Sequence, residues 1–139
     1  MIGSWWKKFW GANSTLGQRG EAVAAKFLQR KGYTILARSD RTIMGELDLI
    51  VVRDRVIVFV EVKTRRRSDK GSPAEAVDAQ KQQRIIKLAL AYLRRHQLIG
   101  SCTSRFDVIS VEWPDDSTKP IITHFENAFQ ANDQYQVYS

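Results

Sequence analysis

The chain has 139 residues, 43% of them hydrophobic and 27% charged, which is the composition of one globular domain and leaves no room for two. No apolar run approaches the ~18–20 residues that a membrane-crossing helix needs. The net charge of +7 points to an anionic partner, and a lone Cys102 excludes both an intramolecular disulfide and a cysteine-built zinc site and fits a reducing, cytoplasmic setting.

Residues 1–14 read as an extension in which Trp5, Trp6, Phe9 and Trp10 surround Lys7 and Lys8, without the apolar stretch of a secretory signal. Such rings suit packing on the domain or a protein partner, and a membrane surface is the competing use. Residues 15–130 are expected to form the domain, and residues 131–139 a mobile polar tail. Asn13, Ser14 and Thr15 are candidate caps for a helix that reaches Lys31 and is ended by Gly32. Its stripe of Leu16, Gly20, Val23, Ala24, Phe27 and Leu28 leaves Glu21 at the edge. A strand over 33–38 is followed by a polar turn over 39–42. Strands over 46–52 and 56–63 come next, joined through Asp54 as an antiparallel hairpin.

A basic loop over 64–72 follows, and Pro73 opens a short helical turn. The long helix over 78–96 carries an apolar stripe of Ile85, Ile86, Leu88, Ala89, Tyr92 and Leu93, with Arg84, Lys87, Arg94 and Arg95 on the other side. Two more strands, 105–113 and 120–125, flank a turn over 114–119. The order predicts an α/β domain with a mixed central sheet flanked by helices.

The chemistry concentrates in Gly45-Glu46-Leu47-Asp48-Leu49-Ile50 and Val58-Phe59-Val60-Glu61-Val62-Lys63. Alternation places Glu61 and Lys63 on one face of their strand and Val58, Val60 and Val62 on the other. The hairpin can bring Asp48 to Glu61, where two carboxylates at ~4 Å repel by about 4 kcal/mol at an effective dielectric near 20. A cation between them, or a proton on one, relieves that repulsion. All-oxygen ligands select Mg²⁺ or Mn²⁺ over zinc.

Asp48 followed by Glu61-Val62-Lys63 resembles the D…(D/E)xK signature of the restriction-endonuclease-like superfamily. A wider pattern over about residues 16–129 comprises Gly17-x-x-Gly20-Glu21, Gly45-Glu46-x-Asp48-Leu49-Ile50, Phe59-Val60-Glu61-Val62-Lys63, Arg105-Phe106-Asp107-Val108 and Asn127-Ala128-Phe129. Together these are similar to the YraN family, bacterial nuclease-fold proteins related to archaeal Holliday-junction resolvases. The resemblance implies an α-β-β-β-α-β core in which Asp48, Glu61 and the Val62 carbonyl hold Mg²⁺ or Mn²⁺. It adds Glu21 as a further active-site acid and Lys63 as the residue that assists the attacking water. Gln80, as a polar residue supporting the site, and Lys81, as a contact for nucleic acid, fall where resolvase relatives use a polar residue, and those relatives act as two-fold dimers, so a homodimer is an expected assembly.

Other residues carry open alternatives. Glu46 is an acid supporting the site, a turn residue or a solvated group, and Arg65, Arg66 and Arg67 clamp phosphate or belong to a solvated loop. His96 is assigned to helix capping or packing, His124 to no function, and Arg105 and Asp107 to a structural pair. Nothing near Cys102 makes it a nucleophile. The expected function is metal-dependent hydrolysis of DNA phosphodiesters, including those of branched DNA. A non-catalytic nucleic-acid-binding module and an adaptor working through the tryptophans are the competing expectations.

Overall fold

The computed structural model describes residues 15–66, 77–114 and 119–131. The proposed tryptophan-rich extension, Arg67, the helical turn at Pro73 and residues 132–139 of the tail lie outside them. Thr15 opens helix α1 (Leu16–Arg30) with a reciprocal cap. Its hydroxyl accepts from the Gln18 N–H at 3.1 Å, and the Gln18 side-chain oxygen accepts from the Thr15 N–H at 2.9 Å. Two N–H groups that the first turn leaves unbonded are thereby satisfied, an arrangement worth about 1 kcal/mol.

Strands β1 (Thr34–Thr42), β2 (Gly45–Arg53) and β3 (Val56–Arg66) follow, then helix α2 (Ala79–Arg95) and strands β4 (Thr103–Trp113) and β5 (Ile121–Phe129). They form one five-stranded sheet in the order β1-β2-β3-β4-β5. β3 and β4 pair in parallel and the other neighbours antiparallel, so the sheet is mixed, as expected. Asp54 and Arg55, both at positive φ, make the tight turn of the β2–β3 hairpin.

Alternation along β3 divides the interior into two cores. Ile57 and Phe59 join Ile50, Phe106 and Val108 beneath α2, while Val58, Val60 and Val62 join Leu49, Val51, Ile109 and Val111 beneath α1. The face that α2 buries is the expected stripe from Ile85 to Leu93. α1 also buries Ala22 and Ala25, since small side chains let the helix lie close to the sheet. Its closest approach is at Gly20, where a Cβ would land on the Thr64 hydroxyl.

Three boundaries differ from expectation. β1 continues through residues 39–42 to Thr42, where a turn was predicted. It is an edge strand, so its polar side chains remain at the surface, and Arg41 pairs across to Glu46 at 3.1 Å. β3 runs on through Thr64, Arg65 and Arg66, which pair in register with Val111, Glu112 and Trp113, so the first part of the predicted basic loop is strand. β5 extends to Phe129 past a bulge around Asn127, whose φ is 52°.

That bulge is held by Asp107, which is fully buried. Its carboxylate accepts from Arg105 Nε at 3.0 Å, from the Asn127 N–H at 2.9 Å and from His124 Nε2 at 2.7 Å. Lys31 Nζ lies 2.9 Å from His124 Nδ1. An ammonium can only donate, so Nδ1 accepts and Nε2 carries the proton towards Asp107. Arg105 also reaches the Tyr33 hydroxyl, and the whole group ties β4 and β5 to the C-terminal end of α1. The structural pairing expected of Arg105 and Asp107 is present, and His124 belongs to it.

Two measurements test this packing. Gly20→Val should push α1 off β3 and lower the unfolding free energy by about 1–3 kcal/mol in urea denaturation. Asp107→Ala should cost about 3–5 kcal/mol, because it strands a guanidinium and a buried imidazole without their acceptor.

Candidate metal centre

The second feature of β2 is a break in its alternation. Leu47 and Ile50 share the α2 core although they are three residues apart, while Leu49 faces α1. Register pairing with β3 begins at Leu49↔Val60, so at Asp48 the two strands part. The Asp48 carboxylate fills the gap by accepting from the Val62 N–H at 2.9 Å. Val62 thus meets the site through its N–H.

Glu46, two residues earlier on β2, accepts from Arg41 Nε and Nη2 at 3.2 and 3.1 Å. Glu21 follows directly on the Gly20 contact and accepts from the Ser39 hydroxyl at 3.3 Å. Carboxylate oxygens of Glu21, Glu46 and Asp48 all lie within 4.8 Å of one another. Glu61 is buried beside them and receives Lys81 Nζ at 2.5 Å. Lys81 is placed by the cap of α2, where Asp78 Oδ1 accepts from the Lys81 N–H at 2.8 Å.

Electrostatics follow from this crowding. Burial, then the charge of Glu61, pushes the Asp48 carboxyl up to about 8, against the lowering effect of the Val62 N–H. Burial and the neighbouring Glu46 and Glu61 charges also raise Glu21, although the Ser39 hydroxyl opposes them. Burial would lower Lys81, but its hydrogen bond to Glu61 and the charges of Glu61 and Asp48 outweigh it and hold the ammonium above its usual value.

The donor set fits a hard divalent cation. Octahedral ligands about 2.0–2.1 Å from Mg²⁺ stand ~3–4 Å apart, a spacing that small side-chain rotations of the triad can reach. Sequence reasoning proposed Asp48, Glu61, Val62 and Glu21 as the ligands. The structure brings Glu21 and Asp48 together with Glu46 and places Glu61 next to Asp48 but against Lys81. The sequence leaves Glu46 open between a supporting acid, a turn residue and a solvated group, and its spacing of two residues from Asp48 is the available clue to its place in the triad. Nothing in the sequence pointed to Ser39.

The remaining candidates lie further out. Gln80 is exposed and lines a shallow surface groove on α2 with Ala79, Gln83, Arg84 and Lys87, one position from Lys81. Arg65 is half-buried and Arg66 exposed near the end of β3. Among the described residues no helix is long and apolar enough to cross a membrane.

A mixed sheet between two helices, with acids from α1, β2 and β3 gathered where β2 leaves β3, defines a restriction-endonuclease-like α/β protein with an acidic centre. The chain belongs to the uncharacterised protein family UPF0102, the YraN family, whose pattern matches residues 20–111. The match contains every acid and lysine of the centre. A UPF0102 protein of Rhodopirellula baltica is 49% identical over 122 residues, covering 86% of this chain and 72% of its own. Others from Trichlorobacter lovleyi and Syntrophotalea carbinolica are 48% and 43% identical, covering 84% and 85% of this chain and 91% and 94% of theirs.

A titration tests the centre. Asp48 holds its proton more tightly folded than unfolded, so its contribution to stability is full below 3.8 and is lost as pH rises through about 8. The metal-free protein should therefore lose thermal stability across that interval. Saturating Mn²⁺ should restore most of it at the alkaline end, and Asp48→Asn should flatten the metal-free profile.

Proposed function

We propose that the protein is a metal-dependent DNA endonuclease. The observation that carries this reading is the convergence of the Glu21, Glu46 and Asp48 carboxylates within 4.8 Å, with Asp48 desolvated and flanked by Glu61. Evenly solvated surface acids have no reason to be crowded in this way, whereas a divalent cation relieves their mutual repulsion. Glu21, Glu46 and Asp48 would hold Mg²⁺ or Mn²⁺, with Glu61 at the border of the shell. When bound, the ion supplies positive charge that stabilises the phosphodiester as negative charge builds on it.

The chain's own groups do the rest. Lys63 orients a water for in-line attack and can donate to a phosphate oxygen. Lys81 holds Glu61 in place through their ion pair, so that Glu61 can accept a hydrogen bond from that water. Arg65 and Arg66 contact flanking phosphates, with Arg67 continuing the basic run; these contacts position the strand without reading its sequence.

One observation favours a second reading. The Lys81 ammonium already neutralises Glu61, as a fixed cation would in a nucleic-acid-binding module that does not turn over. Cleavage of branched and linear DNA with Mn²⁺ decides between them. Wild type should cut, and Asp48→Ala, Glu61→Ala and Lys63→Ala should each lose on the order of a hundredfold or more in rate. Equal residual cutting in all four proteins identifies a contaminant. Salt-dependent DNA binding with no product, and no Mn²⁺ uptake by calorimetry, establishes the binding module instead.

A further inference from the structure

The turn between β1 and β2 does not use the usual residues. Two-residue hairpin turns favour Asn and Gly at positive φ, as Asp54 and Arg55 approximate in the next hairpin. Here the two turn positions are Ile43 and Met44, neither at positive φ. Ile43 is fully exposed, and Met44 is 58% exposed. Two adjacent large apolar side chains projecting into water carry a solvation cost that the fold itself does nothing to recover.

The tip is also hydrogen-bonded across its turn. The Thr42 hydroxyl accepts from the Met44 N–H at 3.1 Å and donates to the Gly45 carbonyl at 3.2 Å, which pins both sides of the turn. Gly45, at φ 142°, seats the base of the hairpin on α2. A Cβ there would stand 3.2 Å from Leu88 Cδ1 and 3.8 Å from Arg84 Cδ. Arg84 and Lys87 line the adjoining surface groove, and neither has an ion-pair partner among the described residues. From Met44 the same strand leads to Glu46 and Asp48. Four residues of extended chain span roughly 13 Å, about the length of three or four nucleotide steps along one strand.

We propose that Ile43 and Met44 form an apolar wedge that enters a base step of DNA whose backbone is held at the acidic centre, and that the preferred substrate is DNA with a weakened step at a branch or bulge. The proposal rests on the reading of that centre as a phosphate-handling site. Apolar wedges that part a base step require the unstacking energy of that step, a few kcal/mol in a continuous duplex and less where stacking is already broken. The cationic groove alongside matches a phosphate backbone and gives the wedge a charged flank that a lipid surface or an apolar protein groove does not require.

The test uses a four-way DNA junction and a linear duplex of the same arm sequence, each carrying 2-aminopurine beside the probed step, in Ca²⁺ buffer that holds the backbone without supporting turnover. Binding of wild type should raise 2-aminopurine fluorescence on the junction and favour it over the duplex. The double substitution Ile43→Ser, Met44→Ser should abolish the rise and reduce the preference about tenfold, a loss of roughly 1.4 kcal/mol. Its melting temperature and the salt slope of duplex binding should not change, because both side chains lie in water. Arg84→Ala with Lys87→Ala should instead weaken binding to both DNAs and flatten the salt slope.

The wedge is overturned if wild type gives no fluorescence rise, or if the double variant keeps both the rise and the preference. It is equally overturned if the variant changes only self-association in sedimentation or binding to anionic vesicles. A junction-specific rise in wild type that yields no product with Mn²⁺ leaves the wedge standing and removes the nuclease reading. Mn²⁺-dependent product without the rise does the reverse.

Discussion

Carboxylates repel one another more strongly as they are withdrawn from water, and four of them meet where β2 separates from β3. The surrounding structure supplies partial answers to that repulsion, each from a different element. β3 offers the Val62 N–H to Asp48, α2 offers the Lys81 ammonium to Glu61, and β1 offers Arg41 to Glu46 and the Ser39 hydroxyl to Glu21. None neutralises Asp48, which lies between the others and keeps its proton until about pH 8. The fold thus keeps one carboxyl protonated at neutral pH while satisfying the groups around it. An arrangement of this kind is informative about function because packing alone gives no reason to keep it.

The fold reaches this arrangement through contacts at both ends of α1. Near the start of the helix, Gly20 lets the backbone rest on Thr64 and so delivers Glu21 to the sheet. At the far end, Lys31 and Tyr33 join the buried Asp107 group on β4 and β5. Close packing fixes one end and hydrogen bonding the other, so a helix with few large side chains is still held in a single position. The Arg105-Phe106-Asp107-Val108 and Asn127-Ala128-Phe129 segments meet through the Asp107–Asn127 hydrogen bond.

Periodic features were readable from the sequence. The α2 stripe emerged as written, and β3 could be identified as a strand buried on both faces because its run of Val, Ile and Phe is broken only by Glu61. The course of β1 was not readable, because polar residues 39–42 resemble a turn until the partner strand is known. Glu46 was undervalued for a related reason. Its approach to Glu21 accompanies the skipped alternation at Asp48, which a fixed period of two does not anticipate. His124 and Asn127 meet Asp107 across 17 and 20 residues, a distance over which local pattern carries no information.

The same irregularities bear on how the sheet ends. Pairing slips between Ile35 and Ala37 along β1, and again between Phe106 and Val108 where β5 joins. Each outermost strand therefore meets its neighbour through a dislocated ladder, and β1 adds Arg38, Asp40 and Arg41 along its length. A straight, greasy border would invite foreign chains to zip on and extend the sheet without limit; these crooked, charged margins discourage such growth.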